Sequence, residues 1–137
     1  MPGYWIVKTE PSAYSHADLA HDRVTVWDGV KNPVALKHLA AMRQGDAVMI
    51  YHTGTEKAAV GLATVSGEAR PDPKKKDPKL LVVTLAAGGP LPRPVTLAAI
   101  KADPAFAGSP LVRVPRLSVI PLSAAQWRRL LALAGQR

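Results

Sequence analysis

Asp46-Ala47-Val48-Met49-Ile50-Tyr51-His52 is the stretch at which the chain changes from helical to extended periodicity. Just upstream, Asn32-Pro33 opens a helix: Asn accepts from a free N–H and Pro suits the first helical position. Leu36, Leu39, Ala40 and Met42 form its apolar stripe and Gly45 its terminator. Downstream, Thr53-Gly54-Thr55 is a turn, and Ala58 to Val65 is a second strand. Gly61 interrupts that strand, which predicts a bulge or a close backbone approach.

Working outward, Tyr4 to Lys8 forms a strand that stops at Glu10-Pro11. Ser15 and Asp18 have capping-box spacing for a short helix, and Val24 to Trp27 is a brief extended piece ending at the Asp28-Gly29 turn. Residues 70 to 79 are a polar, proline-broken and mobile connection. Leu80 to Leu85 follows as a strand, and Leu91-Pro92-Arg93-Pro94 begins a proline-punctuated passage. Thr96 caps a helix over Leu97 to Ala102, while Leu111 to Val114 and Leu117 to Ile120 have extended character. Ser123 and Gln126 make another capping box, Trp127, Leu130, Leu131 and Ala134 an apolar stripe, and Gly135 a stop. With no run of βαβ units, this order predicts one α+β domain over residues 1–137 around a mixed, barrel-like sheet.

Composition narrows the function classes. At 47% apolar and 20% charged residues, the 137-residue chain is globular rather than disordered. It has no cysteine, which excludes disulfides, thiolate nucleophiles and Cys-containing zinc sites, and which suits the cytoplasm. No run is long enough to span a membrane. The four histidines, at 16, 21, 38 and 52, show no metal-ligand spacing, and no phosphate-loop, dinucleotide or nucleophile-elbow motif occurs. Neither a cofactor, a metal nor a catalytic residue is expected. The net charge of +8 is uneven: residues 1–68 carry 6 basic and 7 acidic side chains, residues 69–137 carry 12 and 3. An excess of that size is the footprint of a polyanion binder, with plain solubility charge as the alternative.

Four of the seven aromatic residues, Tyr4, Trp5, Tyr14 and Trp27, lie in the first 27 positions. Trp5 on a strand and Trp127 on a helix stripe are core residues. Trp27 stands instead beside a polar turn, where a large ring must pack or stack on something.

Five ordered strings now become informative together: Lys8-Thr9-Glu10-Pro11, Trp27-Asp28-Gly29-Val30-Lys31-Asn32, Gly45 to Thr53, Gly61-Leu62-Ala63-Thr64-Val65, and Arg116 to Leu122. In sequence and spacing they resemble the EVE domain family, from about Tyr4 to Trp127. The resemblance implies a PUA-like fold, a small, mostly antiparallel β-barrel with short helices around it, related to YTH, ASCH and SRA domains. It also implies a non-catalytic reader of a modified base, modified cytosine in DNA above all, with RNA as the other nucleic acid.

Such a reader recovers the cost of unstacking a base by stacking it on aromatic rings and pairing its edge. On the matched positions the resemblance suggests Trp27 and Tyr51 for stacking, Asn32 and Asp28 for the base edge, and Lys8, Thr9 and His52 for base or phosphate. Each has a structural alternative: a helix cap for Asn32, turn chemistry for Asp28, a snorkelling strand lysine for Lys8, sheet hydrogen bonding for Thr9 and His52. Arg70, Lys74, Lys75, Lys76, Lys79, Arg93, Arg113 and Arg116 are the candidates for the phosphate backbone. The chain departs from the family at Pro33 and Leu36, where an aromatic residue and an arginine are usual. Two other classes stay open: a small hydrolase of nucleotide-like molecules with His52 as base, and a basic module for an acidic protein partner.

Overall fold

The structure, a computed structural model, describes residues 3–136. Among these residues six strands form one sheet: β1 (Tyr4–Thr9), β2 (Val24–Trp27), β3 (Ala47–His52), β4 (Ala58–Pro71), β5 (Leu81–Thr96) and β6 (Val119–Leu122), in the order β2-β5-β4-β3-β1-β6. Of its ladders, that between β1 and β3 is parallel and the others are antiparallel. Five helices accompany it: α1 (His16–Asp22), α2 (Pro33–Ala41), α3 (Leu97–Ala102), α4 (Pro110–Arg113) and α5 (Ala124–Leu133), with a 3-10 turn at Pro104–Phe106.

The sheet is mixed and mostly antiparallel as expected, but it does not close into a barrel. Its edges, β2 and β6, are four residues each and share no ladder. Helix α2 packs against β4, β5 and β6, closing the core where strand pairing does not. One continuous core results, running from Trp5 and Ile6 on β1 to Trp127 and Leu130 on α5.

Local signals set most helix starts. Ser15 accepts from Asp18 N–H and Ser123 from Gln126 N–H, and in both boxes the third residue's side chain returns the bond. Asn32 Oδ1 accepts from Val34 N–H at 2.9 Å and Ala35 N–H at 3.1 Å, with Pro33 at the first helical position. The buried face of α2 is Ala35, Leu39 and Met42, with Leu36 half-buried; Ala40 faces solvent, contrary to its place in the expected stripe.

Three further expectations are corrected. Leu111 to Arg113 is not extended: Ser109 accepts from Leu111 N–H and Pro110 sits at the first position, so β-branched Val112 is carried into the one-turn helix α4, with Val114 just past its end. The proline passage is not separate from the preceding strand but belongs to β5. Pro90, Pro92 and Pro94 lie beyond the part of β5 that pairs with β2, and the register against β4 shifts around Gly61, so missing N–H groups are tolerated there. The connection after β4 is shorter than 70–79 and organised: Asp72 N–H donates to Leu80 O at 2.8 Å, and Asp72 and Asp77 side chains accept from Lys74 and Lys79 N–H.

Gly61 shows both expected features, since the register shifts at it and a Cβ there would lie 2.3 Å from the His16 ring. His16 is buried and donates from Nε2 to Leu62 O at 3.1 Å, which locks α1 onto β4. Asp46 is the other buried anchor. Its carboxylate accepts from Gly3 N–H at 2.8 Å, Trp5 Nε1–H at 2.9 Å and Arg43 N–H at 3.0 Å, tying the start of β3 to β1.

Candidate nucleic-acid interface

Because the sheet curls without closing, the C-terminal end of β1, the C-terminal part of β2 and the segment before β6 face one another across a cleft of about 680 Å³. Lys8 and Thr9 come from β1, Thr25, Val26 and Trp27 from β2, and Asp28 to Lys31 from the turn into α2. Tyr14 and Ser118 complete the walls, and Lys74 reaches in from the β4–β5 turn. Three lysines and one carboxylate line it, so its field favours an anionic ligand.

Trp27 is 8% exposed and meets the Tyr14 ring edge-on, centroids 6.1 Å apart and planes at 81°. Tyr14 Oη donates to Asp22 Oδ2 at 2.8 Å. Burial, with the nearby Asp22 carboxylate, pushes its phenol above the usual tyrosine range, although a hydrogen bond with Thr25 opposes this. The phenol therefore keeps its proton at neutral pH. Thr9 donates its hydroxyl to Tyr14 O at 2.7 Å, fixing this wall to β1.

Lys8 is held between two environments. Its Nζ donates to Pro115 O at 2.9 Å and lies 5.4 Å from the centroid of Tyr51, its parallel-ladder neighbour. Burial lowers its pKa from the usual lysine value. Tyr51 is buried below it, and burial likewise raises the Tyr51 phenol. The two aromatic residues singled out for stacking consequently line different cavities: Trp27 the main cleft, Tyr51 a second space of about 290 Å³, with Lys8 common to both.

The other sequence candidates divide in the same way. Asp28 is exposed and lines the main cleft with Lys8 and Thr9. Asn32 does not line it; its side-chain oxygen is occupied by the α2 cap. His52 is buried outside both cavities. Its Nε2 accepts from His16 N–H at 3.0 Å, so Nδ1 carries the proton and donates to Glu56 Oε1 at 2.7 Å. A base with both nitrogens engaged has none to offer a substrate. Among the described residues no group of acidic or histidine side chains is arranged to hold a metal ion, and no helix is long and apolar enough to cross a membrane.

Of the eight residues assigned to the phosphate backbone, Lys74 alone lines the cleft, and Lys75, Lys76 and Lys79 are exposed on the same turn. Arg70 donates to Thr84 Oγ1 at 2.9 Å and to Glu68 O on the hairpin. Arg93 Nε donates to Leu133 O, the end of α5, and Arg113 Nε to Ala107 O, so both guanidinium groups already hold backbone carbonyls. Arg116 is exposed between α4 and β6. Sequence reasoning left out several cleft residues, among them Val26, Val30 and Ser118, and also Tyr14 and Lys31. Tyr14 was visible only as one of the crowded N-terminal aromatics, and Lys31 only as part of the string beginning at Trp27.

By structural match the open mixed sheet is of the EVE/PUA-like class of folds. The ASCH protein of Zymomonas mobilis shares that fold at 13% identity, with a TM-score of 0.64 over 97% of this chain and 96% of the other. The model of the EVE domain matches residues 3–133, and the chain belongs to that family. A Rhodopseudomonas palustris protein is 40% identical over 97% of this chain and 93% of its own, with a TM-score of 0.91. Human thymocyte nuclear protein 1, solved in complex with DNA containing 5-methylcytosine, is 27% identical over 98% of this chain and 99% of the solved one, with a TM-score of 0.86. Rat thymocyte nuclear protein 1 is 33% identical over 93 residues, which are 57% of this chain and 41% of the rat protein. The chain thus spans well under half of the curated relatives' length.

Proposed function

We propose that this chain is a non-catalytic nucleic-acid-binding domain that takes a modified cytosine, extruded from DNA, into the cleft beside Trp27. The observation that carries the reading is one cleft holding an indole, a free carboxylate and three lysines. Each part answers a feature of the base. Trp27 offers an aromatic surface, Asp28 an acceptor for the exocyclic amine of cytosine, and Val26 and Val30 apolar contact for a 5-methyl group. Lys8, Lys31 and Lys74 face the strand's phosphates. The DNA-bound human relative supports the same class of ligand. Pro33 and Leu36 serve α2 itself, as its first residue and a half-buried packing residue, which leaves the reading to the residues of β2 and its turn.

The test is anisotropy binding to matched oligonucleotides with and without 5-methylcytosine, as DNA and as RNA. Asp28→Ala, an exposed change, is expected to weaken cytosine and 5-methylcytosine strands alike and to reduce about tenfold their preference over a strand with thymine at that position, whose O4 cannot donate to a carboxylate, the scale of one base-edge contact worth about 1–3 kcal/mol. Trp27→Ala, followed alongside its melting temperature because the ring is buried, is expected to abolish the preference while salt-sensitive binding persists. Equal loss on the 5-methylcytosine, cytosine and thymine strands in both variants would exclude a base pocket here.

A separate expectation concerns the β4–β5 turn. Replacing Lys74, Lys75 and Lys76 by Gln is expected to weaken all sequences alike, and to flatten the log K against log salt slope by about 0.9 for each duplex phosphate that is no longer neutralised. An unchanged slope would return these lysines to the role of solvating charges.

A further inference from the structure

The second cavity, of about 290 Å³, adjoins the main cleft at Lys8, which lines both. Lys57 and Lys101 stand on its other sides, from the β3–β4 turn and the end of α3, and the Tyr51 ring lies among them. Among the described residues no carboxylate lines it. Two acids close to it in the chain are hydrogen-bonded to other groups: Glu10 accepts from Ser12, and Glu56 from His52. Three lysines therefore line a space that has no carboxylate among its lining residues.

Lys57 adds an observation of a different kind. Its φ is +47°, a left-handed conformation that glycine adopts freely and lysine rarely. The backbone there is fixed by Leu97 N–H, which donates to Lys57 O at 2.8 Å. A lysine in this position carries a conformational cost, and its exposed side chain makes no hydrogen bond or ion pair among the described residues to recover it.

We infer that this cavity is a phosphoryl-group subsite, formed by Lys8, Lys57 and Lys101 with the Tyr51 hydroxyl, which continues the main cleft along the bound strand. It builds on the reading of the main cleft as a nucleic-acid site but not on that cleft's base preference. A nucleotide entering beside Trp27 has Lys8 at its flank, and the subsite receives the phosphate on the far side of that lysine. Tyr51, assigned to stacking from the sequence, is here a hydroxyl donor beneath the phosphate. The same chemistry would hold the phosphate of a small free molecule, and the experiment separates the two sources.

The variant is Lys57→Gly with Lys101→Gln, both exposed positions. Amide chemical shifts of the full chain are followed on titration with inorganic phosphate, and a single-stranded oligonucleotide is bound over a salt series. The expected result is that phosphate moves the amides of Thr53, Gly54, Lys57 and Lys101 in the wild type and not in the variant. The salt slope should fall by about 0.7, the share of the one phosphate the subsite neutralises. The melting temperature of Lys57→Gly alone should hold or rise, which a structural lysine would not allow. Shifts with an unchanged slope would assign the subsite to a free phosphorylated molecule. The absence of both the shifts and the change in slope would overturn it. If instead the slope falls while Asp28→Ala leaves base preference intact, the base-reading proposal fails and the subsite stands.

Discussion

Asp46→Ala is expected to lower the stability of the domain by about 3–5 kcal/mol, a drop in melting temperature on the order of 10–20 °C for a chain of this size. The carboxylate is 3% exposed and receives three N–H donors from Gly3, Trp5 and Arg43. Truncation strands the buried indole N–H and leaves two backbone groups to find water. Asp46→Asn should cost less, because one amide oxygen can still accept from some of the three donors. The effect also carries a pH signature. Burial alone would raise the Asp46 pKa, but the bonds from Gly3, Arg43 and Trp5, with the charge of Arg43, outweigh it and hold the group below the usual aspartate value. A carboxyl depressed on folding stabilises the fold fully above its unfolded pKa of about 4, and that contribution is lost as pH falls through the folded value. The gap in stability between wild type and Asp46→Asn, measured by urea denaturation, should accordingly be constant near neutrality and narrow below about pH 4. A gap that widens on acidification would mean that Asp46 is not the anchor described.

How much of this fold can be read from sequence depends on the distance over which each signal acts. The two capping boxes and the Asn32-Pro33 start are complete within four residues, and all three helices begin where those residues put them. Leu111 to Val114 misleads because its β-branched residues outvote the two that matter, Ser109 and Pro110, which lie just before it. Leu81–Thr96 misleads in the opposite sense. Prolines suggest a break, but tolerance of a proline depends on whether a neighbour needs its N–H, and that is decided by how far β2 extends. Barrel or open sheet is a question about two edges more than 90 residues apart in the chain, and no local pattern records it.

The site divides along the same line. Lys8, Thr9, Trp27 and Asp28 lie in short strings that carried the family resemblance, and the fold brings all four to one cleft. Tyr51 is equally visible in its string, yet its place follows from the parallel register of β1 and β3, which sets it directly beside Lys8 and away from Trp27. Tyr14 reaches the cleft because Thr9 holds its carbonyl and because α1, which anchors its hydroxyl through Asp22, is seated on β4. That seating is itself a long-range contact, and it supplies the second large effect.

Gly61→Ala is expected to cost about 2–4 kcal/mol although it adds one methyl group. The new Cβ would sit 2.3 to 2.4 Å from three atoms of the His16 ring, Cγ among them, so a turn about the outer bonds cannot relieve the clash. The ring is buried and bonded to Leu62 O, and leaving its place breaks that bond. His16 opens α1, and Tyr14, two residues earlier, packs on Trp27 and anchors through Asp22 of the same helix. Displacing the ring should therefore disturb the cleft as well as the core, with oligonucleotide affinity falling more than the fraction unfolded accounts for. The double variant Gly61→Ala, His16→Ala provides the internal check. Removing the ring removes the clash, while His16 N–H, a backbone group, keeps its bond to His52. The pair should be more stable than Gly61→Ala alone, with a coupling energy of about 1–3 kcal/mol by denaturant titration. Strict additivity would show that the glycine is required for a reason other than the approach of His16.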